Sequence, residues 1–202
     1  MIRLSIAVAA LALMHLPQAD AQVPKAARTP PKSQTRPANE KVKVDPATIT
    51  VDDGDSVVIK WPGGDEEIVR ILGIDSPEVR HIEHNLPFDQ PGGPEARAFA
   101  RGAFGVASEV QLLRCGTLDP FGRTLGYVFV NGKNYSALII KARLAAESVS
   151  TFGDNGFPEI AAEMIAAAKE AGPPAFEPPG AYRTRMRTQT QWMKKAGTYP
   201  DK

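Results

Sequence analysis

Alternating apolar and polar residues predict three short β-strands between residues 48 and 74. Residues 48–51, 56–61 and 68–74 carry the alternating or continuous apolar runs typical of strands. Asp53-Gly54 separates the first two, and a Pro-Gly-Gly-Asp run at 62–65 separates the last two; both are strong turn signals. The pattern therefore predicts an antiparallel three-stranded meander.

Beyond this meander the pattern predicts three helices and two more strands. Gly93-Pro94 begins the first helix, because proline is favoured at the first helical position and apolar residues then recur at helical spacing. The later elements are strands at 109–114 and 125–130 and helices at 135–142 and 158–171. Five short strands with a helix after the third is the order of an OB-type barrel, and a small α+β sandwich would give the same order.

The first residues have the layout of a secretory signal. Arg3 precedes an apolar run that ends at Leu16, and Ala19-Asp20-Ala21 supplies the small-residue pattern before a cleavage point. We expect cleavage after Ala21 and a secreted or periplasmic protein. The only cysteine is Cys115, which excludes a lipid anchor at the cleavage point and an internal disulfide, so we expect no membrane anchor.

Charge divides the remaining chain into an acidic centre and two basic arms. Residues 22–44 are rich in proline, carry a net charge of +5 and predict a disordered basic linker. Residues 173–202 form a Pro-rich basic C-terminal tail with a net charge of +4, which leaves −8 for a single domain at 45–172. An acidic domain suits a cation site, although acidic surfaces are also commonly only solubilising.

Four polar segments interrupt the apolar pattern of this domain. They read Val-Asp-Asp-Gly-Asp-Ser at 51–56, Val-Arg-Ile-Leu-Gly-Ile-Asp-Ser-Pro-Glu at 69–78, Gly-Pro-Glu-Ala at 93–96 and Asp-Pro-Phe-Gly-Arg-Thr-Leu at 119–125. In this order and spacing they resemble the staphylococcal nuclease (thermonuclease) family. The resemblance implies an α+β fold with a five-stranded OB-type β-barrel and three helices.

The same resemblance implies a secreted, calcium-dependent nuclease that hydrolyses the phosphodiester bonds of DNA and RNA, and we expect it to be a monomer. Two alternatives stay open. One is a catalytically weak or inactive module of this fold that binds nucleic acid or a protein, and the other is an envelope protein whose calcium site is only structural.

Arg70 interrupts the apolar run at 68–74, where an unpaired guanidinium is costly. It therefore needs an anionic partner, which is either a nearby carboxylate such as Glu78 or a bound phosphate. A planar guanidinium can hold two phosphate oxygens at once. The resemblance favours phosphate and assigns Arg70 to catalysis.

Asp55 and Asp75 each follow a turn or a strand end, so both carboxylates can reach a common point if their strands are neighbours. Hard oxygen ligands of this kind suit calcium. By resemblance, Asp55 and Asp75 are metal carboxylates, and Ser76 contributes its backbone carbonyl. Glu78 corresponds to the glutamate that activates the attacking water, and Arg123 to the second arginine that stabilises developing charge.

Several features depart from the family pattern. Pro120-Phe121 replaces a basic residue and a tyrosine, and Arg143 stands where glycine is usual before Leu-Ala. Val149 and Thr151 fill the places of two tyrosines that flank the nucleotide, in a segment that we expect to be extended. The loop at 79–92 is longer than expected and contains His81 and His84, which we interpret as surface residues, not a zinc site. Trp192 is a candidate to dock the tail on the domain.

Overall fold

The computed structural model describes residues 32–200, which form a sheet-and-helix unit. The predicted signal segment and residues 22–31 of the linker lie outside these described residues. The strands are β1 Lys41–Val44, β2 Ile49–Val51, β3 Ser56–Lys60, β4 Glu66–Ile71, β5 Ile74–Asp75, β6 Val110–Leu118, β7 Thr124–Val130, β8 Lys133–Asn134 and β9 Ala146–Glu147. The helices are α1 Gly93–Gly105, α2 Tyr135–Lys141, α3 Val149–Phe152, α4 Pro158–Ala171 and α5 Pro179–Lys195.

One mixed sheet has the strand order β1-β6-β7-β4-β3-β2, with β8 paired to β7. The meander β2-β3-β4 and the pair β6-β7 are antiparallel, and β4 pairs with β7 in parallel. A second, two-stranded sheet pairs β5 with β9. The five predicted strands and three predicted helices are present, except that the strand predicted at 68–74 ends at Ile71 and Ile74 belongs to β5 of the second sheet. The α+β architecture of OB type is confirmed.

The core lies between the sheet and the helices α1, α2 and α4. Its fully buried members come from both sides: Ile59, Val69, Ile71, Leu112 and Val128 from the sheet, and Phe104, Ile139 and Met164 from the helices. Tyr135 begins α2 in the middle of this core, and its hydroxyl donates to the backbone carbonyl of Gly54 at 2.8 Å. The core therefore holds the turn at residues 52–55 in place.

Residues 41–44 are not part of a disordered linker, because they form β1 and pair with β6. The sequence Lys-Val-Lys-Val alternates along this strand, and Val44 is buried while the lysines are exposed. Alternation over four residues is a short signal beside a strongly basic composition. The prediction of disorder is therefore wrong for the end of the linker.

The tail contains the 17-residue helix α5, which docks on the long loop at 79–92. Leu86 of this loop is buried with Tyr182 and Met186 of α5 in a small apolar cluster of their own. The hydroxyl of Tyr182 donates to the carbonyl of Phe88 at 2.8 Å. The tail docks as predicted, but not through Trp192, whose exposed fraction is 73%.

Polar contacts extend this docking along the loop. The Gln90 side chain donates to the carbonyl of Glu177 at 2.7 Å, and Thr190 donates to the carbonyl of Asn85 at 3.0 Å. The length of the loop thus has a structural reason, since it forms the surface on which α5 lies. Among residues 32–200, no helix has the length and apolar character needed to cross a membrane.

Candidate active site

Asp55 and Arg70 face each other because of the register between β3 and β4. Ser56 is paired with Arg70 across this hairpin, and the amide of Ile71 donates to the carbonyl of Asp55 at 2.8 Å. Gly73 takes a left-handed conformation at φ 81° and returns the chain into β5, which ends at Asp75. These turns bring the two predicted metal carboxylates to one end of the meander.

A single guanidinium joins the two carboxylates. Arg70 Nη1 lies 2.5 Å from Asp55 Oδ1, and Arg70 Nη2 lies 3.0 Å from Asp75 Oδ1. All three side chains are largely buried, so the charges are poorly screened by water. The carboxylate partners of Arg70 are therefore the two aspartates and not Glu78, which was the partner considered from the sequence.

Ser76 lies against Asp55 and fixes its second oxygen. The backbone N–H of Ser76 donates to Asp55 Oδ2 at 2.7 Å, and both residues are buried. A side chain at Gly54 would meet the Cβ of Ser76 at 2.7 Å and that of Ala96 at 2.9 Å. The glycine of the Asp-Gly-Asp turn is thus required by close packing against Ser76 and α1.

The backbone of Glu78 is held on both sides by Gln90. Its amide donates to the Gln90 side chain at 3.1 Å, and its carbonyl accepts from the Gln90 amide at 2.8 Å. Burial raises the pKa of the Glu78 carboxyl, the nearby Arg183 opposes this rise, and the Asp55 carboxylate adds to it. A raised pKa makes this carboxylate a better proton acceptor near neutral pH than an ordinary glutamate.

Arg123 is directed toward the same cluster by the turn that precedes β7. Asp119 organises this turn by accepting from the amides of Phe121 and Arg123 at 2.9 and 2.8 Å. The same carboxylate accepts from Arg123 Nε at 2.7 Å. Arg123 Nη1 then donates to the hydroxyl of Ser56 at 3.3 Å, and this hydroxyl donates to Asp55 Oδ1 at 3.4 Å. Arg123 is therefore connected to the carboxylates through Ser56.

The structure adds Arg183 of α5, which sequence reasoning missed. Its guanidinium donates to Asp75 Oδ1 at 3.3 Å and to Asp75 Oδ2 at 3.2 Å, and it forms an ion pair with Glu78. The tail carries six basic residues, and nothing in their spacing distinguishes this one. The sequence feature that could have identified Arg183 is its position directly after Tyr182, an aromatic residue in a mostly polar segment.

A second acidic group lies on the other side of the Asp-Gly-Asp turn. Potential ligand atoms of Asp52, Asp53 and His81 lie within 4.8 Å of one another. Burial raises the pKa of Asp53 well above its usual value, and repulsion by Asp55 raises it further. His84 stacks near His81 with a ring-centroid distance of 5.4 Å and is not a member of this group.

The departures from the family pattern have visible structural outcomes. Arg143 takes a left-handed conformation at φ 60°, as a glycine would, and donates to the carbonyl of Pro173 at 2.8 Å. Residues 149–152 form α3, so the expectation of an extended segment is wrong. The Glu147 side chain accepts from the Ser150 amide at 2.7 Å, and this contact caps the helix and favours it. Phe121 and Phe152 are both exposed.

Comparison with known proteins identifies the family of the chain. The family model described as Staphylococcal nuclease homologue matches residues 68–172, just over half of the chain. The chain therefore belongs to the staphylococcal nuclease family. A thermonuclease from Staphylococcus intermedius is 34% identical over 94 residues, which are 46% of this chain and 53% of that relative. The match thus spans about half of the relative's length.

Gly93 gives a direct test of how tightly the Glu78 backbone is held. A Cβ at Gly93 would collide with the backbone carbonyl of Glu78, whereas a Cβ at Gly102 of the same helix meets open space. We expect Gly93→Ala to lower the free energy of unfolding by about 1–3 kcal/mol, the usual cost of overpacking. Gly102→Ala should raise it by roughly 0.5–1 kcal/mol, because alanine favours the helix. Urea unfolding of both variants measures this difference, and equal stabilities would contradict the assigned packing.

Proposed function

We propose that this protein is a calcium-dependent nuclease that hydrolyses phosphodiester bonds of DNA and RNA. The observation that carries the proposal is the joining of Asp55 and Asp75 by Arg70, with Glu78 beside Asp75 and Arg123 connected through Ser56. Two carboxylates, a half-buried glutamate and two arginines at one end of a sheet form a compact set of groups for phosphoryl chemistry. Membership of the nuclease family supports the same conclusion.

The donor set fits a hard divalent cation. Asp55 and Asp75 would supply carboxylate oxygens, and Ser76 would supply its backbone carbonyl, all of which are ligands that calcium prefers. Both aspartates contact the same guanidinium of Arg70, which supports a common cation site between their carboxylates. A bound calcium ion would neutralise negative charge on a phosphate oxygen and so favour attack at phosphorus.

Glu78 and the two arginines then have separate roles in catalysis. Glu78 takes a proton from the attacking water, for which its raised pKa is suited. Arg70 and Arg123 donate to the phosphate oxygens and stabilise the charge that develops as the phosphorus becomes five-coordinate. The bond from phosphorus to the 5′ oxygen breaks, and the departing oxygen takes up a proton, which leaves a 5′-hydroxyl and a 3′-phosphate.

The proposal extends to where and how the protein works. Residues 1–21 have the layout of a secretory signal, which supports a secreted or periplasmic enzyme acting on nucleic acid outside the cytoplasm. We propose that it acts as a monomer. Fractionation of cells that express the full chain, followed by determination of the mature N-terminus, tests export. Recovery of the uncleaved chain in the cytoplasm would contradict it.

The decisive experiment is incubation of the mature protein with supercoiled plasmid DNA and with RNA, in calcium or in chelator. We expect cleavage of both substrates in calcium and none in chelator. End analysis of the products should find 3′-phosphates. A protein that binds the nucleic acid but never cleaves it would be the inactive module instead.

A further inference from the structure

Helix α5 places a third guanidinium on the acidic cluster, in addition to Arg70 and Arg123. Arg183 contacts both oxygens of Asp75 and one oxygen of Glu78. Asp75 Oδ1 is also bonded to Arg70 at 3.0 Å. Both oxygens of this aspartate are therefore engaged by arginines.

Both carboxylate oxygens of Asp55 also have partners. One of its oxygens lies 2.5 Å from Arg70, and the other accepts from the amide of Ser76 at 2.7 Å. Three carboxylates, Asp55, Asp75 and Glu78, are thus paired with only the two guanidiniums of Arg70 and Arg183. A divalent cation that binds to Asp55 and Asp75 adds two positive charges to this cluster, and it requires oxygens that are now in ion pairs.

Arg183 can move away from its carboxylate partners more easily than Arg70 can. Arg70 projects from β4 in the middle of the sheet, and its side chain is largely buried between Asp55 and Asp75. Arg183 projects from a surface helix, and about a third of its side chain is exposed. Its long side chain can move into water without disturbing the helix, because the docking of α5 depends on Tyr182 and Met186.

We propose that Arg183 is an intramolecular competitor of the catalytic cation. Its guanidinium pairs with Asp75 and Glu78 until calcium binds, and it withdraws from Asp75 when calcium takes that carboxylate. The C-terminal helix therefore sets the calcium concentration at which the site becomes active. This inference rests on the proposed function for the identity of the cation, and it assigns to the tail a role in metal affinity.

Calcium titration of the mature protein by isothermal calorimetry, in the absence of nucleic acid, tests the competition directly. We expect Arg183→Ala to bind calcium at least fivefold more tightly than the unchanged protein, the lower end of usual coupling between two sites. Arg183→Lys should lie between them, because an ammonium keeps the charge but lacks the planar fork that spans Asp75 and Glu78. Arg187→Ala is the matched control: it removes the same charge from an exposed position of the same helix.

Equal or weaker calcium binding by Arg183→Ala, relative to Arg187→Ala, would overturn the proposal. Far-UV circular dichroism and thermal unfolding of the whole protein establish that both variants are folded before their affinities are compared. Failure of the competition is distinguishable from failure of the nuclease function. An unchanged affinity with calcium-dependent cleavage refutes only the competition, and a tightened affinity without cleavage refutes only the nuclease.

Discussion

Glu78→Gln is expected to lower turnover by about 100-fold or more while the protein remains folded, because general base catalysis typically contributes at least that factor. Glutamine has nearly the same shape and keeps the backbone contacts to Gln90, but its neutral amide cannot accept a proton from water. The loss should therefore fall mainly on kcat, with a smaller change in KM. Initial rates of plasmid cleavage at saturating calcium measure both constants.

A matched variant separates this effect from a general loss of negative charge. Glu159 is exposed in the first turn of α4, outside the acidic cluster, and Glu159→Gln should retain near-full turnover. Thermal unfolding of both variants should change little relative to the parent protein. If Glu78→Gln keeps most of the activity, Glu78 does not activate the water.

Arg114→Met is expected to produce the largest loss of stability, about 3–5 kcal/mol, because it removes the close counter-ion of the buried Glu67 carboxylate and leaves only Arg36, whose Nε lies 3.6 Å from Glu67 Oε2. Arg114 binds Glu67 through two hydrogen bonds, Nε to Oε1 at 2.7 Å and Nη2 to Oε2 at 2.8 Å. Thr124 and Trp61 donate to the same carboxylate at 2.6 and 2.8 Å. Both charged residues are almost fully buried in the sheet.

A double variant tests whether the loss comes from the orphaned charge. Replacing both partners with apolar residues, as in Glu67→Leu with Arg114→Met, should recover much of the stability, since buried ion pairs are often replaceable by packed apolar groups. Urea unfolding of the four proteins in this cycle measures the coupling. Additive losses in the double variant would show that the two residues stabilise the sheet independently.

The same ion pair predicts a pH dependence of the parent protein. Burial alone would raise the pKa of Glu67, but the hydrogen bonds from Arg114, Thr124 and Trp61 lower it below the usual value. The pair therefore stabilises the fold above the pKa of an unfolded glutamate, and this stabilisation is lost as pH falls through the lower folded pKa. Arg114→Met should remove this acid-side dependence.

Local sequence signals were sufficient for most of the domain and insufficient for its C-terminal end. The meander, α1 and α4 have alternation, helical spacing, proline starts and glycine turns of their own, so each was predictable from its own residues. Helix α5 has only two buried large apolar side chains, Tyr182 and Met186, and their partner Leu86 lies about a hundred residues earlier. A contact between residues so far apart in the sequence cannot be predicted from a short stretch of either segment.

The same limit applies to the site. Asp55 and Asp75 were predictable as a pair because turns and a hairpin bring them together over some twenty residues, whereas the pairing of Arg70 with both of them was not predicted. Arg183 enters the cluster only through the docking of α5, so no motif within the tail identifies it. The composition of the tail indicated only that it is basic. The contact of the tail with the carboxylates is made by one arginine, Arg183, which follows the docking residue Tyr182.

The parallel pairing of β4 with β7 has a consequence for the two proposed phosphate-binding arginines. Arg70 is paired with Leu125, and Arg123 lies two residues before Leu125 on the adjoining chain. The spacing between their backbones is thus set by the ladder of hydrogen bonds, which begins at Thr124, and by the Asp119 turn that ends at Arg123. Their relative position is fixed when the sheet forms, so a phosphate that meets one arginine finds the other already in place, and little conformational entropy is lost in bringing them together.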